Sequence, residues 1–207
     1  MSCPDRLCLL ALLFFVSVAT AYAQEPGTPP PATPAPATTP AATPPASTAA
    51  FPKGTEYFTL AAGFQNERNG ANEYLASVIT GFGRYFWDNA GFELQVVGYH
   101  GHDGDDNTVG LGGNALARYH FLNFGRASIY GDVLGGVFLM SDNFPSGGTG
   151  FNFTYGGGPG LSWRLRDGLY LDGGLRFQHV SNGFVEGRDR NPIFNSFGGY
   201  VGLTWTR

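Results

Sequence analysis

Between Thr55 and Trp205, apolar and polar side chains alternate in runs separated by Gly, Asn, Asp and Pro, the residues that turns favour. Successive side chains of a strand point to opposite faces, so a period of two means a strand with one apolar and one polar face. The run Thr108–Leu122 sets Val109, Leu111, Ala115, Ala117, Tyr119 and Phe121 against Gly110, Asn114, Arg118 and His120. The run Phe151–Leu165 sets Phe151, Phe153, Tyr155, Leu161, Trp163 and Leu165 against Asn152, Thr154, Ser162 and Arg164. The remaining predicted strands are Thr55–Gln65, Glu73–Trp87, Phe92–His100, Ala127–Leu139, Leu169–Ser181 and Asn195–Trp205, eight in all. In Glu73–Trp87 both faces are largely apolar and the phase is ambiguous.

The predicted connections alternate in length: 66–72, 101–107, 140–150 and 182–194 are longer, whereas 88–91, 123–126 and 166–168 are shorter. Tight turns on one side and longer loops on the other mark an antiparallel transmembrane β-barrel, and strands of about 10 residues tilted by about 45° cross the apolar layer. An even strand number lets the sheet close without an edge. A soluble β-sandwich or lipocalin-like barrel would alternate equally well, but its interior would hold bulky apolar groups. Here Gly110, Gly112, Gly136, Gly156, Gly158, Gly174 and Gly198 share a face with Arg118, Asp132, Arg164, Asp172 and Arg176. Small residues and paired charges suit the lumen of a narrow membrane barrel. Tyr85, Trp87, Trp163 and Trp205 fall near strand ends, where aromatic rings suit the membrane interface.

The N-terminal residues fit export to such a membrane. Residues 1–23 combine Arg6, an apolar run from Leu9 to Ala19 and the small-x-small sequence Ala21-Tyr22-Ala23, which reads as a signal peptide. Residues 24–50, almost entirely Pro, Ala and Thr, read as an extended disordered linker, leaving 51–207 as the barrel domain. Both cysteines, Cys3 and Cys8, lie in the segment expected to be removed, so neither a disulfide nor a cysteine-based metal site is expected. A net charge of −4 without a basic block argues against a nucleic-acid partner.

Candidate chemistry concentrates in His179-Val180-Ser181-Asn182. In Leu169–Ser181 the odd positions are Leu169, Leu171, Gly173, Leu175, Phe177, His179 and Ser181, while Asp172, Arg176 and Gln178 are even. An imidazole and a hydroxyl therefore share the apolar face, which in a membrane barrel faces lipid. Residues i and i+2 of a strand lie about 7 Å apart at Cα, within reach of an imidazole. A serine hydroxyl needs such a base to become a nucleophile. Other groupings are weaker. His100, His102, Asp103, Asp105 and Asp106 cluster in a predicted external loop, but the calcium-loop Gly and terminal Glu are missing, and no metal is expected. Gly156-Gly157-Gly158-Pro159-Gly160 lacks the lysine and helix of a phosphate loop. His120 is expected inside the lumen, hydrogen-bonded there.

The stretch Phe177-Gln178-His179-Val180-Ser181-Asn182, with Arg190-Asn191-Pro192-Ile193-Phe194-Asn195-Ser196 after it, resembles the signature of the lipid A 3-O-deacylase (PagL-like) family. The resemblance implies an eight-stranded outer-membrane barrel that hydrolyses the 3-O-linked acyl ester of lipid A without a cofactor. It assigns His179 as base and Ser181 as nucleophile. Asn195 stands where better-known members carry a glutamate; an amide can accept the imidazole N–H but supplies no negative charge. Glu186 is the alternative acid, with Asp189 in the same loop. Asn182 and the backbone N–H of Gly183 are candidate oxyanion donors. The implied partners are lipid A or lipopolysaccharide and the surrounding membrane lipids, with homodimerisation left open. The competing expectation is a non-catalytic outer-membrane barrel with a structural or adhesive role.

Overall fold

The computed structural model describes residues 50–68, 72–104 and 106–207; the expected signal peptide and all of the linker but Ala50 lie outside them. Eight antiparallel strands form a closed barrel in chain order, with β1 (Glu56–Glu67) paired to both β2 (Glu73–Trp87) and β8 (Phe194–Thr206). Between them run β3 (Ala90–Asp103), β4 (Asp106–Phe124), β5 (Ala127–Met140), β6 (Phe151–Arg166) and β7 (Leu169–Ser181). Closure leaves no unpaired strand edge, the condition a sheet must meet in hydrocarbon.

At one end the hairpins turn through Asp88-Asn89, Gly125-Arg126 and Asp167-Gly168, and a left-handed residue in each (Asn89, φ 63°; Gly125, φ 62°; Gly168, φ 72°) lets the chain reverse that tightly. A register shift adjoins every one of these turns, at Tyr85/Trp87, His120/Leu122 and Arg164/Arg166. The opposite end carries the longer connections, with one correction. The predicted loop 101–107 is mostly strand, because β3 continues to Asp103 and β4 starts at Asp106. The inner face there is buried at Gly101, beneath Phe144, and at Thr108, while the outer positions His100 and His102 are polar, so the strands extend without an apolar outer face.

The phase of the alternation follows the prediction. Val109, Leu111, Leu175 and Val201 face outward and are exposed, while Asn114, Arg118, Asp172 and Arg176 are buried inside. Pairing with β1 settles β2, turning Leu75 and Ile79 inward and Val78 and Phe82 outward. Tyr85 also turns inward, which corrects its expected place at the membrane interface; its OH bonds His120 Nε2 at 3.0 Å.

The lumen is filled at three levels. Near the tight turns, Phe51 enters from below β1 and packs on Tyr85, His120 and Tyr170, with ring centroids 5.0, 4.0 and 4.9 Å away. In the middle, Arg118 Nη1 donates to Asp172 at 3.0 Å and Arg176 Nη2 to Asp132 at 2.9 Å. Tyr200 OH also donates to Asp132 at 2.8 Å, and Thr204 Oγ1 to Asp172 at 2.7 Å. Two guanidinium groups thus meet two carboxylates, as burial of charge requires. Glycine makes room for the large rings: a β-carbon on Gly160 would lie 2.3 Å from the Tyr130 ring, and one on Gly174 2.8 Å from the Tyr200 ring. At the long-loop end, Leu75, Ile79, Val97, Tyr99, Phe138 and Val180 form an apolar core closed above by Phe144 and Phe194.

Candidate active site

Ser181 is the last residue of β7, so it sits at the rim where the long loops begin. The strand's phase turns Val180 and Asn182 inward and leaves His179 and Ser181 half-buried on the outer surface. Across the next ladder, His179 is the register partner of Asn195 on β8. The imidazole links all three: Nδ1 lies 2.7 Å from Asn195 Oδ1, and Nε2 lies 3.2 Å from Ser181 Oγ. An amide oxygen only accepts, so Nδ1 carries the proton toward Asn195 and leaves the Nε2 lone pair facing the serine hydroxyl. That tautomer can take a proton from Ser181. The backbone supports the same corner, since Arg68 N–H donates to Asn195 O at 2.8 Å.

Tyr155, absent from the sequence-derived site, is the register partner of His179 on β6, and the two rings stack with centroids 4.6 Å apart at 26°. Its outward phase is legible from the alternation, but only the β6–β7 register reveals the stack. Phe153 lies opposite Ser181, and Phe177 meets Phe197 one step below His179, at 5.2 Å. The polar triplet is thus framed by lipid-facing aromatic rings.

The other expected residues behave differently. Asn182 is buried and already engaged: its N–H donates to Asn191 Oδ1 at 2.8 Å, its Nδ2 to Arg190 O at 2.5 Å, and its Oδ1 accepts Phe184 N–H at 2.9 Å. These bonds make it a brace for the last loop. Gly183 follows on the outer side with φ 64°, where a β-carbon would come 3.2 Å from the Phe153 ring. Glu186 pairs with Arg190 Nη1 at 2.5 Å, while Asn195 occupies the Nδ1 side of His179, so the alternative acid is held elsewhere. The acidic and histidine cluster is divided: His102 Nδ1 bonds Asn107 Oδ1 at 3.0 Å, whereas Asp103 accepts Ser146 N–H at 2.5 Å. Among the described residues no group of three or more His, Cys, Asp or Glu side chains is arranged to hold a metal ion.

Comparison with known proteins agrees with both the barrel and the motif. Neisserial surface protein A matches with a TM-score of 0.50 and 16% identity, over 74% of this chain and 96% of its own. The outer membrane protein OprG from Pseudomonas aeruginosa matches with a TM-score of 0.51 and 12% identity, over 76% of this chain and 98% of its own. At such identities the likeness is one of fold. No curated protein sequence matches the chain. The sequence pattern of the lipid A 3-O-deacylase (PagL) family, however, matches residues 57–204, which is all but the ends of the barrel. An outer-membrane barrel whose whole length carries that pattern belongs to the lipid A 3-O-deacylase family.

Proposed function

We propose that the protein removes the 3-O-linked acyl chain of lipid A by serine-histidine ester hydrolysis at the outer leaflet. The observation that supports this most directly is the pair of hydrogen bonds through one imidazole, 2.7 Å to Asn195 and 3.2 Å to Ser181, on the lipid-facing side of the barrel. Ser181 Oγ attacks the ester carbonyl as His179 Nε2 takes its proton. The tetrahedral oxyanion is met by a backbone donor at the strand end, for which Gly183 N–H is the remaining candidate. As the intermediate collapses, His179 returns the proton to the departing 3-oxygen and the acyl group stays on Ser181. Water, deprotonated by the same imidazole, then releases the fatty acid and restores the hydroxyl. Asn195 holds the ring in the tautomer that both steps need.

Mass spectrometry of lipid A from cells lacking the protein, expressing it, or expressing Ser181→Ala tests the proposal. Loss of one 3-linked acyl chain only with the unaltered protein is expected. Identical lipid A in all three leaves a non-catalytic barrel.

A further inference from the structure

The loop from 182 to 193 has two dissimilar sides. One leans on the neighbouring 141–150 loop: Arg190 Nη2 donates to Gly148 O at 3.3 Å, and a β-carbon on Gly148 would come 3.2 Å from the Pro192 ring. The other side presents Phe184 and Val185, which are 60% and 68% exposed. Leaving two adjacent large apolar side chains in water is costly, and here the backbone is arranged to do so. Phe184 has φ 66°, a left-handed conformation that bulky residues rarely adopt. Hydrogen bonds hold it there: Phe184 N–H donates to Asn182 Oδ1 at 2.9 Å, Val185 N–H to Asn182 O at 3.3 Å, and Gly187 N–H to Phe184 O at 3.0 Å.

The direction in which the loop leaves the barrel identifies what covers these side chains. After Ser181 the chain passes Gly183 close against the Phe153 ring, which is itself part of the lipid-facing surface. Ile193, 54% exposed, re-enters just before Asn195 at the other end of the loop. The apolar outer wall of the barrel thus continues upward through Phe153 into the loop, where Glu186 and Arg190 pair with each other and the Arg188 guanidinium lies 6.0 Å from the centre of the Phe184 ring. Exposed apolar side chains continuous with a lipid-facing wall, with a guanidinium beside them whose head stays in water, suit the boundary between acyl chains and headgroups.

We infer that Phe184 and Val185 dock into the headgroup and acyl boundary of the outer leaflet, pinning the last loop to the membrane beside Ser181. The inference rests on the membrane barrel and not on hydrolysis, so the two fail separately.

The full chain, with Cys3 and Cys8 replaced by Ser, then has no other thiol. Single variants Phe184→Cys, Val185→Cys and Asp189→Cys are labelled with an environment-sensitive nitrobenzoxadiazole dye. Each is refolded into phosphatidylcholine vesicles with and without doxyl-labelled acyl chains, and the folded form is separated by its heat-modifiable gel mobility. At 184 and 185 the emission is expected to shift to the blue and be quenched by the doxyl chains, and at the exposed position 189 it is expected to do neither. Emission at 184 and 185 like that at 189, unquenched, overturns the inference. A blue shift without doxyl quenching that vanishes as protein is diluted in lipid also overturns it, assigning the patch to a second copy of the chain. The same readings in a Ser181→Ala background keep the result independent of turnover.

Discussion

Asn195 stands directly across the β7–β8 ladder from His179, and its amide oxygen lies 2.7 Å from Nδ1. In the proposed mechanism the third member of the hydrogen-bonded set is neutral: it fixes the tautomer without stabilising the imidazolium that would form as Ser181 is deprotonated. Replacing the carboxylate of a serine-protease triad by an amide lowers turnover by about 10⁴-fold through the wrong tautomer, a fault that Asn195 avoids, so only the missing charge is left to restore here. The opposite change, Asn195→Glu, is therefore expected to raise the deacylation rate by roughly tenfold or more, and Asn195→Leu, which removes the acceptor, to lower it by roughly 10²-fold. Rates on purified lipopolysaccharide, read by fatty-acid release, check both. A Glu variant slower than the unaltered protein would sink this account of the residue.

Tyr155 holds the imidazole from its face, as Asn195 does from its edge. An aromatic pair contributes about 0.5–1.5 kcal/mol, so Tyr155→Ala is expected to slow hydrolysis by roughly two- to tenfold, mainly in kcat. Tyr155→Phe keeps the stack and most of the rate. Equal losses in the two variants would assign the effect to the phenolic hydroxyl instead.

Stability rests elsewhere, in the lumen. Asp132 accepts from Arg176 and Tyr200 and lies 3.6 Å from Arg118 Nη2. Removing one partner of a buried ion pair costs about 3–5 kcal/mol, because the other charge is left uncompensated. Asp132→Ala is expected to lower the urea midpoint of the refolded barrel by a corresponding amount, with a smaller drop for Asp132→Asn, whose amide oxygen still accepts. An unchanged midpoint would mean that solvent in the lumen replaces the carboxylate.

Much of this architecture is written in period two. The phase of β7 alone places His179 and Ser181 together on the outer face, because nothing but parity decides which side a strand residue takes. Asn182 obeys the same parity, falling inward with Gln178 and Val180, yet its chemistry as an amide suggested an oxyanion donor before its bonds to Asn191, Arg190 and Phe184 were visible. What parity cannot supply is register. Whether Asn195 or a neighbour faces His179, and whether Tyr155 lies against it, depends on how the intervening loops set one strand against the next. Tyr85 lies in a strand with two apolar faces, so its composition does not disclose that the ring turns inward. The polar composition of 101–107 predicts a loop, because it marks contact with water and a strand whose outer face has left the bilayer meets water as a loop does.

Phe51 bears on a different property of the cell envelope. Its ring closes the lumen at the tight-turn end, the Arg118, Arg176, Asp132 and Asp172 cluster blocks the middle, and Phe144 and Phe194 cover the top. Among the described residues side chains occupy the lumen at each of these levels, so planar-bilayer recordings of the refolded barrel are expected to show no steady ion conductance. Such a barrel is expected to be carried at high copy number without adding a leak for ions or nutrients.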